Sequence, residues 1–465
     1  MDDNKNILKV REDAVPLSLE KSASDNTFAV VNKQSVSSWL SSNEQSGIKL
    51  SDIRNGIEPW LTSLFQSEHL SLLTGTGLSI AVQYLACNAS GSAMSTPELD
   101  NDFTDEIKRI SIETASKSNR GTANIEDYIR VMNELLRGLE ILGYHTDDNS
   151  DKKAQYEKLL DNFSKIICGF SNSISEIENK IATADHQNRE KAWGYLVNFL
   201  MCFASRAGTR ERLNLFTTNY DRIIEAGSEI AGIHLIDRFV GMLSPIFRSS
   251  RLDVDMHYNP PGIRGEPRYL EGVARFTKLH GSIDWINTGD DIRRIGLPFG
   301  SKDMKYFLNA PGMGCGDISK IMIYPNPAKD RETTEYPYVE LFRDFATAIC
   351  RPNSTLITYG YGFGDDHINR VIRDMLTIPS THLVIISYND VDGRIIKKYE
   401  EFGRSSQISL IIGSDIADLK TLVDYFLPKP SIDKATLRMG ELLKQRYPTL
   451  QDNVAKNNEG SEDTK

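Results

Sequence analysis

Apolar positions along the chain fall into two kinds of run. The first kind is short and nearly unbroken, and each run stops at glycine or polar residues. "LSLLTGTGLS" (70–79), "NLFTTNYD" (214–221), "FTKLHGSIDWI" (276–286), "KIMIYPN" (320–326), "TLITYGYGFGD" (355–365), "HLVIISYND" (382–390) and "ISLIIGSD" (408–415) all read this way. Such runs predict buried strands ending in polar loops. "IADLKTLVDYFL" (416–427) predicts a helix. Strands alternating with helices predict an α/β fold with a mostly parallel, Rossmann-like sheet. The second kind of run has helical spacing. Ile125, Tyr128, Ile129, Met132, Leu135, Leu136 and Leu139 form one stripe, with Asn124 placed as its N-cap. Tyr156, Leu159, Leu160, Phe163, Ile166, Ile167 and Phe170 form another. No strand-like run interrupts residues 101–212, which predicts an inserted helical subdomain whose stripes are core. The α/β domain then spans 36–100 and 213–430. Residues 1–35 are polar and predict a flexible segment, and 431–465 predict a C-terminal helix and a disordered tail.

Composition narrows the classes. With 465 residues the chain can bury a sizeable core in two or three domains. A net charge of -10 argues against direct nucleic-acid binding by the chain as a whole. Five cysteines stand far apart (Cys87, Cys168, Cys202, Cys315, Cys350), and none forms a C-x-x-C pair. That predicts no zinc site and reduced thiols. The first residues are too polar for a signal peptide, and no apolar run approaches about 18 residues, so no membrane association and a cytoplasmic location are expected.

Candidate chemistry lies at the strand ends, because ligands of open α/β sheets bind outside the carboxyl ends of the strands. In "TGTGLS", Gly75, Thr76, Gly77 and Ser79 open a helix whose N-terminal N–H groups suit an anion, but the third glycine of a dinucleotide fingerprint is replaced by Ile80. A phosphate site and a plain strand–helix turn both fit. In "TTNYD", Thr218, Asn219 and Asp221 stand where a strand gives way to a helix. Asp221 suits either a ligand hydroxyl or the helix dipole. His280 in "KLHGS" is either a structural histidine or a proton acceptor. Asp365, Asp366 and His367 suggest a metal cluster or, better, caps of the helix "HINRVIRDML".

"GTGLS", "TTNYD", "KLHGS" and "GYGFGDDHIN", in this order and with a helical insertion after the first, resemble the sirtuin-like family. More narrowly they resemble its bacterial branch in antiphage defence. "IDRFVG" (236–241) is similar to an aspartate-glycine-phenylalanine stretch of that branch, with Arg238 in place of the glycine, and "SYND" and "IGSD" resemble late adenosine-side loops. The likeness runs from about Leu70 to Leu427. Sirtuin deacylases carry a G-I-P-D-F-R stretch and a zinc-binding cysteine tetrad, and this chain has neither.

The resemblance implies an NAD+ hydrolase that cleaves the nicotinamide–ribose bond, with NAD as substrate and no zinc. Asn219 would hold ribose and position water, His280 would accept the proton, and Asp221 would hold a hydroxyl or the loop. Gly75, Thr76, Gly77, Ser79 and Thr218 would contact phosphate or ribose. Gly360, Tyr361 and Gly362 would approach the dinucleotide, and Asn389 and Asp415 would lie beside the adenosine. It also implies an abortive-infection effector that depletes NAD, held inactive as a homo-oligomer and switched by a partner encoded nearby, such as a HerA-type ATPase or another sensor. The rival expectations are an NAD-dependent protein deacylase and a non-catalytic module that senses NAD or ADP-ribose.

Overall fold

The computed structural model describes residues 5–10, 13–22, 27–31, 38–40, 46–89, 91, 95–117, 122–146, 150–206, 210–250, 254–258, 268–302, 307, 321–323 and 336–429. The chain opens with β1 (Lys5–Lys9), β2 (Leu17–Lys21) and β3 (Phe28–Val30). α1 (Leu50–Phe65), β4 (His69–Thr74) and α2 (Thr76–Cys87) follow. Four helices come next: α3 (Thr104–Lys117), α4 (Ile125–Ile141), α5 (Ser150–Ala182) and α6 (His186–Ala204). Then come β5 (Asn214–Thr217), α7 (Ile223–Ala231) and β6 (His234–Ile236). Short strands β7 (Phe239–Val240), β8 (Ile246–Phe247), β9 (His257–Tyr258) and β10 (Arg268–Tyr269) lead to β11 (Val273–Lys278), β12 (Gly281–Asn287), β13 (Ile292–Arg294) and β14 (Ile321–Ile323). The last part holds α8 (Tyr338–Ile349), β15 (Ser354–Tyr359), α9 (Asp366–Met375), β16 (His382–Ser387), α10 (Arg394–Phe402) and β17 (Ile408–Ile412).

Ten strands form the main sheet in the order β3-β2-β1-β17-β16-β15-β4-β5-β11-β6. The seven from β17 to β6 are parallel, and β4, β5, β15, β16 and β17 are buried throughout, as strands covered on both faces are. From β4 the chain first builds outward through β5, and later returns to place β15 on the other side of β4. The reversal puts a topological switch point between β4 and β15, where the loops leaving two neighbouring strands open a crevice. Helices α1, α2, α6 and α7 cover one face, and α8, α9 and α10 the other.

Three expectations are corrected. β1, β2 and β3 are not a loose leader, since β1 pairs antiparallel with β17 and carries β2 and β3 as a sheet edge. "KIMIYPN" supplies β14, a member of a separate five-stranded antiparallel sheet in the order β14-β12-β13-β8-β7. The helices of 104–204 do not pack as one unit. α3, α4 and most of α5 form their own core with Ile283, Ile286 and Leu297, whereas α6 joins the core of the main sheet, with Leu196 and Leu200 against Gly227 of α7. A side chain at 227 would meet Leu196 at 2.6 Å, so that glycine is what lets the two helices approach. Asn124 does cap α4, its side chain accepting from the Asp127 N–H at 3.2 Å while Asp127 reaches back to the Asn124 N–H. The expected C-terminal helix and tail, and Cys315, lie outside the described residues.

Candidate active site

All the parallel strands point their carboxyl ends to one edge of the sheet, so the turns after β4, β5, β11 and β15 meet there. They line a cleft holding about 1050 Å³ of empty space, roofed by the inserted helices.

The turn after β4 and the turn after β15 touch through backbone alone. Gly75 donates its N–H to Tyr359 O, and Gly77 donates to Gly360 O, both at 3.0 Å. A Cβ at Gly75 would lie 2.5 Å from Gly360 O, and one at Gly77 would lie 2.6 Å from the Gly360 Cα. Gly360 itself has φ +61. These glycines are therefore required first for the approach of two loops at the switch point. Gly75 and Thr76 also line the cleft, but Gly77 and Gly360 stand behind it. Tyr361 is buried with its hydroxyl 3.4 Å from Asn369 Oδ1, and Gly362 lies on the wall near Arg394, which donates to Gly362 O at 3.4 Å.

The turn after β5 is held by side chains. Thr217 accepts the Asn219 N–H at 3.1 Å, and Thr218 donates its N–H to Thr74 O. Asn219 is 6% exposed and donates from Nδ2 to Gly75 O at 3.0 Å and to Ser79 Oγ at 2.8 Å. A carbonyl can only accept, so Gly75 O fixes the amide's orientation and leaves Oδ1 as the acceptor. Ser79 in turn donates to Asp221 Oδ2 at 2.6 Å, and Asp221 Oδ1 accepts the Ile223 N–H at 3.1 Å at the start of α7. Asp221 thus holds the Ser79 hydroxyl and satisfies one N–H at the start of α7. The result is a polarised chain, amide to hydroxyl to carboxylate.

His280 follows β11 and lines the same cleft. Its ring lies 6.3 Å from that of Tyr220 and 5.6 Å from that of His367. Behind it, Lys278 is buried, donating to the Asp221 carbonyl and to Glu225 Oε1 at 2.9 Å. Burial pushes the Glu225 carboxyl upward, and Lys278 opposes this.

Besides Gly77 and Gly360, two predicted residues do not line the cleft. Asn389 is exposed and closes its own turn, accepting the Val391 N–H at 3.3 Å. Asp415 accepts from Asn6 at 3.0 Å and from Lys21 at 2.9 Å, so it ties the first two strands to the last. Gly413 before it makes room for Asn6. Arg238 is buried in an ion pair with Asp344 of α8, at 2.5 Å, and does not line the cleft. Asp365 lines it and occupies the N-cap position of α9 without a side-chain cap bond. Among the described residues no group of three His, Cys, Asp or Glu is placed to hold a metal ion, and no helix is long and apolar enough to cross a membrane.

Sequence reasoning missed the roof. Asn124 and Glu126 at the start of α4, Phe170, Ile174 and Ile177 on α5, Gln83 on α2 and Arg394 on α10 all line the cleft. Asn124 and Phe170 are visible in the sequence as a cap and a stripe position, but nothing in their spacing says which stripe residues face a cleft.

Residues 213–411 match the family model of a SIR2-like domain. The match takes in β5, His280 and the β15 turn and begins after the Gly75 turn. It supports the sirtuin-like resemblance of the motifs and is compatible with an NAD-utilising enzyme. No curated protein matches the chain.

Proposed function

We propose that the cleft hydrolyses NAD+ at the nicotinamide–ribose bond, giving nicotinamide and ADP-ribose. The observation that carries this reading is the Asn219–Ser79–Asp221 chain facing His280 in one cleft. Nicotinamide leaves as a neutral group, so no strong acid is required. The transition state is oxocarbenium-like, as in glycoside cleavage. Asn219, its Nδ2 committed to Gly75 and Ser79, offers Oδ1 to a ribose hydroxyl or the attacking water. His280 takes the proton that the water loses. Thr76, at the start of α2, and Arg394 beside Gly362 offer anion contacts for the diphosphate. No zinc takes part.

The biological reading rests on the motif resemblance. The protein acts in the cytoplasm as an antiphage effector that depletes NAD, held as a homo-oligomer of low basal activity and released by a partner such as a HerA-type ATPase or another sensor encoded nearby. Chromatographic measurement of nicotinamide and ADP-ribose after incubation of the purified chain with NAD+, alone and with that partner, tests the reaction. Nicotinamide release that depends on an acylated peptide would replace hydrolysis by deacylation. Tight NAD+ binding with no product under every condition would leave a sensor.

A further inference from the structure

Residues 219–222 alternate in what they face. Asn219 and Asp221 turn to Ser79 on α2. Tyr220 and Arg222 turn to the inserted helices. The Tyr220 hydroxyl donates to Glu126 Oε1 at 3.1 Å, in the first turn of α4, and its ring meets Phe170 of α5 edge-on at 5.6 Å between centroids. Glu178 of α5 accepts the Arg222 N–H at 2.8 Å and its guanidinium at 2.5 Å. Both Tyr220 and Arg222 are buried. From a third side, the Tyr220 carbonyl accepts Ser282 Oγ and the Ile283 N–H, each at 3.2 Å. Asn219, placed to act on substrate, and Asp221, which orients Ser79, are thus neighbours in the chain of two residues held by the helical layer.

We infer that the helical layer sets the position of Asn219 and Asp221 through Tyr220 and Arg222, and so governs turnover from outside the α/β domain. The inference rests on the proposed reaction for its kinetic readout. Tyr220 and Glu126 are positioning residues. A phenol donating to a carboxylate makes a strong, directional bond, and a carboxylate in a first helical turn is favoured by the dipole. Burial, with the Glu126 charge, pushes the Tyr220 phenol far above its ordinary range, so it stays a donor. A small rotation of α4 or α5 therefore moves the chain at 220 and 222, and with it the amide and carboxylate between and beside them. A protein or ligand acting on these helices has a mechanical route to the site without entering the cleft.

The test uses the full chain and the variants Tyr220→Phe, Glu126→Ala, Glu126→Gln and the double variant Tyr220→Phe/Glu126→Ala. Tyr220→Phe keeps the ring on Phe170 and removes only the donated proton. Tyr220→Phe and Glu126→Ala should each lower kcat about ten-fold while KM for NAD+ stays within about two-fold, the signature of lost positioning. The double variant should be no worse than either single change, because both break one contact. Glu126→Gln should recover most of the loss seen in Glu126→Ala, since its amide oxygen still accepts. Hydrogen exchange of the peptide covering 214–227 should quicken in Tyr220→Phe with the thermal midpoint little changed. Normal kcat in Tyr220→Phe, additive losses in the double variant, or unchanged exchange would each overturn the inference. Faster exchange in Tyr220→Phe beside a parent that never turns over NAD+ would keep the coupling and remove the proposed reaction.

Discussion

Two strand-to-helix turns meet in the cleft and are built by opposite means. The turn between β4 and α2 has glycines at 75 and 77 and makes its contacts through backbone, against Gly360. The turn between β5 and α7 has Thr217, Asn219 and Asp221 and makes its contacts through side chains. The first gains closeness, because nothing larger than hydrogen fits where the loops cross. The second gains direction, because each donor has a single acceptor assigned to it. A site that must hold a dinucleotide and orient one bond uses both: a thin floor, and an oriented amide standing on it. Ser79 joins them, since it belongs to the helix after the glycine turn and bonds only to the polar one.

The comparison predicts that the two turns fail differently. Asn219→Ala and His280→Ala should each lower NAD+ turnover by about 10² or more, as removal of a positioning group or general base commonly does, with circular dichroism unchanged. Either variant keeping near-normal turnover would remove that residue from the chemistry. Gly360→Ala should instead act on the fold. Its φ of +61 and a Cβ 2.6 Å from Gly77 Cα together cost roughly 2–4 kcal/mol, read as a lowered denaturant midpoint. Ser79→Ala should lie between, with turnover down about ten-fold, because Asn219 and Asp221 keep their other bonds to Gly75 and Ile223. Asp415→Asn should leave turnover alone and lower stability by about 1 kcal/mol or less through the partly exposed Lys21 tie. A raised KM for NAD+ in that variant would restore Asp415 to the adenosine side. Elemental analysis should find no stoichiometric zinc, and chelator should not shift the thermal midpoint.

Much of this was legible in the sequence for a physical reason. Strands buried on both faces must be apolar throughout, so β15, β16 and β17 stand out from the residues alone. The polar turns after β5 and β11 are legible because the apolar runs stop abruptly at Asn219, Asp221 and His280, although the residues alone leave a capping or structural use open for the last two. The first strand was not legible. Leu8 and Lys9 are neighbours and both fully buried, which no alternating pattern predicts. Lys9 is tolerated because its ammonium donates to the carbonyls of Ser405 at 2.7 Å and Ile408 at 2.9 Å, partners about 400 residues away. Burial pushes its pKa down. Asp415 misled for the same reason: its partners, Asn6 and Lys21, lie at the far end of the chain. The roof was hidden because the stripe residue Phe170 belongs to the helical core and also lines the cleft, as does Ile174 one turn further on.

The pairing of β1 with β17 has a consequence for synthesis. Ile7 lies opposite Ile412, so β1 waits for a partner made some 400 residues later. At roughly 5–20 residues per second that is about 20 to 80 s on the ribosome. During this time β1 and β2 can form a hairpin, but the edge that should meet β17 stays open, with Leu8 exposed and the Lys9 ammonium still in water. The parallel strands from β4 onward can assemble meanwhile, since β5 forms beside β4 and β11 beside β5 long before β17 is made. The last step is then the closing of the first strand onto the last, which draws Asn6 against Asp415 and Gly413. Until that step is complete, the nascent chain presents two unpaired sheet edges to the chaperones of its cell, and the sheet cannot reach its final width before β17 has been made.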